Sequence, residues 1–336
     1  MSEGGCDSTS KNTVSVQIPE NDFVLGKRDT ITHNFYENSY EKSHEDFYIE
    51  KPITKEETED YSSQATEDYL SKATRFLQHG IQHQQVGEFV RAIESLQQAL
   101  ALFQAFGKLQ QQGQALSCLA LVAYSSQDYK SAIVYSQECL SVMKDSSHLQ
   151  MKIQAFSYLG NAQRHLGRYE EAVENLQKCL QICRELKDCR SIVAAFNNLG
   201  LVYKALNNLP QAIECQEQSL EFARQLKDKW GEEQVLKNLG NAYYALGEHT
   251  KAVTYYQRSL EIAREIDDER AQEQSLGNLG VAHEALGDYQ KAIDYYEQRL
   301  NLARNIKDTR SEKQALASLK VACYAIGDYE KATQYD

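Results

Sequence analysis

Ser275-Leu276-Gly277-Asn278-Leu279-Gly280, closing on Gly287-Asp288-Tyr289, is one copy of a motif that recurs along the chain. Leu159-Gly160, Leu199-Gly200, Leu239-Gly240 and Leu279-Gly280 stand 40 residues apart. The same interval joins Ala92, Ala132, Ala172, Ala212, Ala252, Ala292 and Ala332, and also Leu100, Leu140, Leu180, Leu220, Leu260 and Leu300. A frame held without a slip over seven copies marks a repeat array, in which each unit buries its apolar face against its neighbours.

Each unit reads as two helices. In residues 191–230 the first covers about Ser191 to Ala205, with Ala195, Phe196, Leu199, Val202 and Tyr203 on one face at i, i+3, i+4 spacing. Asn207-Asn208 makes a turn, and Pro210 stands just inside the next helix, where a missing N–H costs little. The second helix, with Ile213, Leu220 and Ala223 inward, runs to about Leu226, and Lys227-Asp228 begins the turn to the next unit. Gly167, Gly247, Gly287 and Gly327 occupy the register of Asn207, as a left-handed backbone demands. The constant alanine marks a helix crossing with no room for a larger side chain.

The units begin near residues 71, 111, 151, 191, 231, 271 and 311. The expected architecture is all-α: an acidic, disordered N-terminal tail over 1–65, then a solenoid over 66–336 of six full repeats and a truncated seventh. The first unit is degenerate, with Gln78-His79-Gly80 in place of the usual triplet. The last stops before its second helix is complete, which suggests either self-association through the C-terminal repeat or a piece of something longer.

Hydrophobic residues make up 42% of the 336, enough for a continuous core, and the near absence of proline suits helices. The net charge of −12 argues against nucleic acid, which needs a basic face. Residues 1–65 carry −8 of it and the rest −4. That tail has no helical period, and its Ser/Thr-rich acidic composition cannot bury enough apolar surface to offset ordering entropy. It is read either as a passive solubilising segment or, through His44-Glu45-Asp46-Phe47-Tyr48-Ile49-Glu50, as a tethered ligand for its own array. The start of the chain lacks the basic and apolar regions of a signal peptide, and no apolar run reaches membrane-spanning length. Eight cysteines without paired spacing suit a reducing compartment, so the expected location is cytoplasmic.

Leu-Gly in the first helix, Gly-Asp/Arg-Tyr at the turn and Ala in the second helix resemble the tetratricopeptide repeat over residues 71–336. The 40-residue unit, Asn-Leu-Gly-Asn and Ala263-Arg264-Glu265-Ile266-Asp267-Asp268 are similar to the arrays of LGN/Pins spindle adaptors and of long bacterial signalling proteins. Kinesin light chain has a comparable enlarged unit. The resemblance implies a right-handed superhelix whose first helices line a concave groove holding a partner peptide or helix.

Aligned on that family, the groove positions lie one before and two after the recurring leucine. They give Tyr158 and Asn161, Asn198 and Leu201, Asn238 and Asn241, Asn278 and Val281, Ser318 and Val321. The Asn198, Asn238, Asn278 ladder can pair with the backbone of an extended ligand or bridge neighbouring helices. Lys237, Asn241 and Asn278 match part of the family's carboxylate clamp, but the two further cationic positions are Gln314 and Ser318. Arg164 and Lys204 add cations and Glu284 an acid, which points to a ligand with an acidic segment.

Other patterns read as structural. Arg184/Asp188, Arg224/Asp228, Arg264/Asp268 and Arg304/Asp308 are spaced as i, i+4 surface pairs. Tyr255-Tyr256 and Tyr295-Tyr296 suit inter-repeat packing. Cys179 takes the register of Ala99, Ser219 and Ser259, so Cys179, Cys183 and Cys189 read as small apolar residues and no metal or cofactor is expected. No phosphate loop, nucleophile elbow or His-Glu metal motif is present. The expected function is a non-catalytic scaffold or adaptor that docks a protein or peptide partner. The alternatives are a regulatory arm whose catalytic domain is encoded elsewhere and a self-assembling structural protein.

Overall fold

The computed structural model describes residues 63–144 and 148–335. Every element among them is helical, and the helices pack as consecutive pairs. The tail and its contact with the array, expected over 1–65, fall almost entirely outside the described residues, since the first helix begins at Ser63.

The chain divides into two compact units between Ile182 and Cys183. The first holds α1 (Ser63–Gln85), α2 (Phe89–Ala105), α3 (Leu109–Ser125), α4 (Tyr129–Val142), α5 (Leu149–His165) and most of α6 (Tyr169–Leu186). The second holds α7 (Cys189–Ala205), α8 (Leu209–Gln225), α9 (Lys229–Ala245), α10 (His249–Glu265), α11 (Glu269–Ala285), α12 (Tyr289–Asn305), α13 (Thr309–Ala325) and α14 (Tyr329–Thr333). Odd-numbered helices are the first helices of their repeats and even-numbered ones the second.

The recurring residues explain this regularity. Asp128, Asp188, Asp228, Asp268, Asp288, Asp308 and Asp328 each accept a backbone N–H near the start of the following helix. Asn208 does the same for Gln211. Each cap satisfies a donor that the helix cannot satisfy for itself. For Arg224, Arg264 and Arg304 the expected i, i+4 pairs are therefore replaced. Arg224 donates to Glu232 at 2.9 Å, Arg304 to Glu312 at 2.8 Å and Arg264 to Gln298 at 3.4 Å. An aspartate at a helix start meets orphan N–H groups first, and the longer arginine finds another acceptor.

The turn register is left-handed as expected, with φ of +57° at Asn207 and +76° at Gly287. The turns between repeats are left-handed too, but there the chain places Lys187, Lys227, Asp267 and Lys307 at φ +53° to +57°.

The frame alanines are at most 1% exposed. The glycine after the recurring leucine faces the second helix of its own repeat. A Cβ on Gly80 or Gly160 would overlap the side chain of Leu96 or Leu176. One on Gly240 or Gly280 would overlap the ring of Tyr256 or Tyr296, both buried. Where that register holds Ala120, the residue 16 positions on is the small Ser136. Around these contacts the first unit packs Leu77, Leu96, Phe103, Leu116 and Leu119, and the second packs Leu236, Leu239, Leu279 and Leu319.

Candidate binding face of the first helices

In the second unit the backbones of successive first helices, α7, α9, α11 and α13, come into contact, and polar side chains link them. Asn238 Nδ2 on α9 donates to Asn197 Oδ1 on α7 at 2.8 Å. Lys237 Nζ on α9 donates to Gln274 Oε1 on α11 at 3.0 Å. These residues define one face. Leu201, Lys204 and Asn241 on it are half-buried, and Val281 and Val321 are exposed.

The sequence-derived residues differ in their surroundings. Asn238 makes the helix bridge just described. Asn198 is buried and Asn278 half-buried, and neither side chain is hydrogen-bonded among the described residues. Asn241 Oδ1 accepts from the hydroxyl of Tyr256 at 2.8 Å. Lys204 has no polar partner among the described residues, and burial pushes its ammonium below the usual lysine range. Glu284 accepts from the Tyr296 hydroxyl at 3.0 Å.

Lys237 is only 12% exposed and lies 3.7 Å from the buried carboxylate of Glu233, which also accepts from Ser259. Burial raises the pKa of Glu233, and the lysine and serine only partly offset this. One repeat on, the same arrangement is built from different parts. The buried Glu273 pairs with Arg299 of α12 at 2.6 Å, and Arg299 donates to Gln314 of α13 at 3.0 Å. Gln314 lacks the charge that a clamp requires, but a cation reaches it from a second helix. Arg299 was missed because it takes the register of Ala99, Cys139, Cys179, Ser219 and Ser259, all small. The available signal was a paired exchange: the repeat with a large residue at 299 has glycine at 277, where the two preceding repeats carry Asn197 and Lys237.

In the first unit, Tyr158 tilts against Tyr124 with ring centroids 6.4 Å apart. Asn161 is buried, and its Nδ2 donates to Ser157 O at 3.0 Å. The guanidinium of Arg164 donates to Nε2 of His165 at 2.9 Å. The Tyr124 hydroxyl shares that nitrogen, also at 2.9 Å, and the His165 ring stacks on Tyr129 with centroids 4.3 Å apart. Two donors on Nε2 make it the acceptor and put the ring proton on Nδ1.

The tyrosine pairs pack between elements: Tyr256 and Tyr296 are buried, while Tyr255 stacks on Tyr243 at 5.2 Å. Cys179 is 2% exposed and its thiol faces Ile153 O. Among the described residues no group of three or more His, Cys, Asp or Glu is placed to hold a metal ion, and no helix is long and apolar enough to cross a membrane.

Residues 152–225 and 232–305 match the family model of the tetratricopeptide repeat. The paired helices on either side of these residues fit the same repeat. Among curated proteins none matches the chain. Solved structures share its fold. The apo form of RapI superposes with a TM-score of 0.64 at 13% identity, over 78% of this chain and 74% of that one. A signal-transduction ATPase with numerous domains and a tetratricopeptide-repeat sensor, from Pyrococcus horikoshii, gives 0.61 at 20% identity. That match covers 83% of this chain but only 46% of the ATPase. A Rap protein complexed with competence and sporulation factor gives 0.54 at 15% identity, over 84% and 80%. The repeats support a protein-interaction or regulatory role.

Proposed function

We propose that the chain is a non-catalytic adaptor that docks a partner segment on the first-helix face of its repeats. The observation that carries this reading is the pre-built polar ladder across α7, α9 and α11, from Asn197–Asn238 to Lys237–Gln274. A face whose side chains are already held loses little conformational entropy when a ligand arrives. Exposed Val281 and Val321 beside the ladder offer apolar anchors. The Rap protein holding competence and sporulation factor shows that this fold can carry a ligand. The same face would serve a sensor arm, the use to which the Pyrococcus ATPase puts such repeats.

The test is affinity capture from native lysate with the full chain and with a Leu201→Glu/Val281→Glu variant. Both substitutions lie on the face at half-buried or exposed positions. Partners retained by the full chain and lost by the variant are expected. Identical capture by both would remove the docking surface from this face. A bait with Asn278 changed to Ala tests ligand contact apart from helix bridging, because its side chain, unlike that of Asn238, links no two helices among the described residues.

A further inference from the structure

We propose that the face formed by α7, α9, α11 and α13 takes an extended acidic segment, held by side-chain amides whose nitrogens are fixed outward as donors. This deepens the docking reading and rests on it.

A free side-chain amide offers a donor and an acceptor and turns to suit either ligand group. Four amides on this face have the acceptor already occupied. Asn197 Oδ1 accepts from Asn238, and Asn241 Oδ1 from the Tyr256 hydroxyl. Gln274 Oε1 accepts from Lys237 and Gln314 Oε1 from Arg299. None of the four amide nitrogens donates a hydrogen bond among the described residues, and Gln274 and Gln314 are exposed.

The two glutamines carry the argument furthest. Ammonium and guanidinium groups donate and never accept, so turning either amide over would set donor against donor. The cations are themselves held by Glu233 at 3.7 Å and Glu273 at 2.6 Å, both buried carboxylates. A carbonyl bonded to a cation also polarises its amide and strengthens the N–H as a donor. The two glutamines lie one repeat apart on adjacent first helices. Packed helices are about 8–10 Å apart, close to three residues of extended chain. A ligand crossing successive first helices therefore meets one outward donor about every third residue.

Donors select acceptors, and backbone carbonyls alone would satisfy them. The preference for acid comes from Lys204, a half-buried cation on the same face without a polar partner among the described residues. The carboxylate of Glu284 is tied to the Tyr296 hydroxyl. Most of the net negative charge belongs to residues 1–65 rather than to the repeats.

The probes are fluorescein-labelled dodecamers of glutamate, glutamine and lysine, titrated with the full chain. The decisive variant is Gln274→Glu/Gln314→Glu, which keeps an oxygen for Lys237 and Arg299 and turns each outward donor into an acceptor. Gln218→Glu/Gln257→Glu, at exposed positions on the second helices, makes the same change in net charge. The glutamate dodecamer is expected to bind most tightly. The first double variant should weaken it by about tenfold or more, and the second by less than about twofold. Unfolding midpoints of both variants should match the parent. Equal loss in the two variants would reduce the effect to long-range charge and overturn the proposal. So would a preference for the lysine or glutamine dodecamer, or no binding of the glutamate one. In those cases loss of lysate partners from Leu201→Glu/Val281→Glu would leave the docking reading standing, whereas unchanged capture would remove both.

Discussion

Arg299 on α12 lies across Gly277 on α11 so closely that a Cβ at 277 would stand 3.0 Å from the guanidinium carbon. The preceding repeat solves the same problem with the sizes exchanged: Lys237 stands at the glycine register and Ser259 at the arginine register. Either way one cation neighbours one buried glutamate, Glu233 or Glu273. Arg299→Ser leaves Glu273 buried without its partner and is expected to cost about 3 kcal/mol. Arg299→Ser/Gly277→Lys rebuilds the constellation of the preceding repeat and should recover most of that loss. Urea unfolding of the two single variants and the double measures the coupling. A double variant no more stable than Arg299→Ser would show that the two repeats are not equivalent here.

The frame of 40 residues, the helix pairs, the left-handed turn at Asn207 and the crowded alanines were legible because each rests on local chemistry repeated many times. The proposed binding face was legible only in part. Lys237, Asn238 and Asn241 follow from register, but the oxygen of Gln274 being tied to Lys237 is a relation between repeats, and spacing alone does not reveal it. Arg299 was hidden for a stronger reason, since a second-helix residue reaches a first-helix face only because Gly277 leaves the opening. At Arg224, Arg264 and Arg304 the Arg–Asp spacing misled because the capping demand of the next helix outweighs a modest surface pair.

Lys227 and Lys307 hold left-handed φ of +55° and +57° in turns where the second repeat begins after Gly107 at +62°. Side chains with a Cβ pay about 1–2 kcal/mol in this region, whereas glycine does not. Glycine also loses more entropy on folding, which removes part of the gain. Lys227→Gly and Lys307→Gly are each expected to stabilise by about 0.5–1 kcal/mol. Thermal midpoints that fall on either substitution would mean that the lysine side chains make a contribution larger than the strain.

Gly240 and Gly280 face rigid tyrosine rings, while a Cβ on Gly200 would meet the flexible end of Gln216. Overpacking against a ring forces backbone shifts costing about 1–3 kcal/mol, which exceeds the helix propensity gained by alanine. Gly280→Ala and Gly240→Ala should therefore destabilise. Gly200→Ala should cost less, because Gln216 can withdraw, though it loses its bond to Asn197 O. Denaturant midpoints rank the three, and a larger loss at Gly200 than at Gly280 would contradict the packing account.

Glu233 is fully buried, its Oε1 accepting from Ser259 and its Oε2 from no described residue. Burial raises its pKa even with Lys237 3.7 Å away, so the charged carboxylate costs more in the native fold than in the unfolded chain. The native state then keeps this proton to higher pH than the unfolded chain does. Its contribution to stability falls as pH rises from the ordinary value of 4.5 through the raised one, and above that the penalty is complete. Glu233→Gln keeps an oxygen for Ser259 and removes the titration. The variant should exceed the parent in stability at neutral pH, and the difference should shrink as pH is lowered toward 4.5. Unfolding free energies of both proteins across that range measure it. A variant less stable than the parent at neutral pH would show that the Lys237 attraction outweighs the cost of burying the charge.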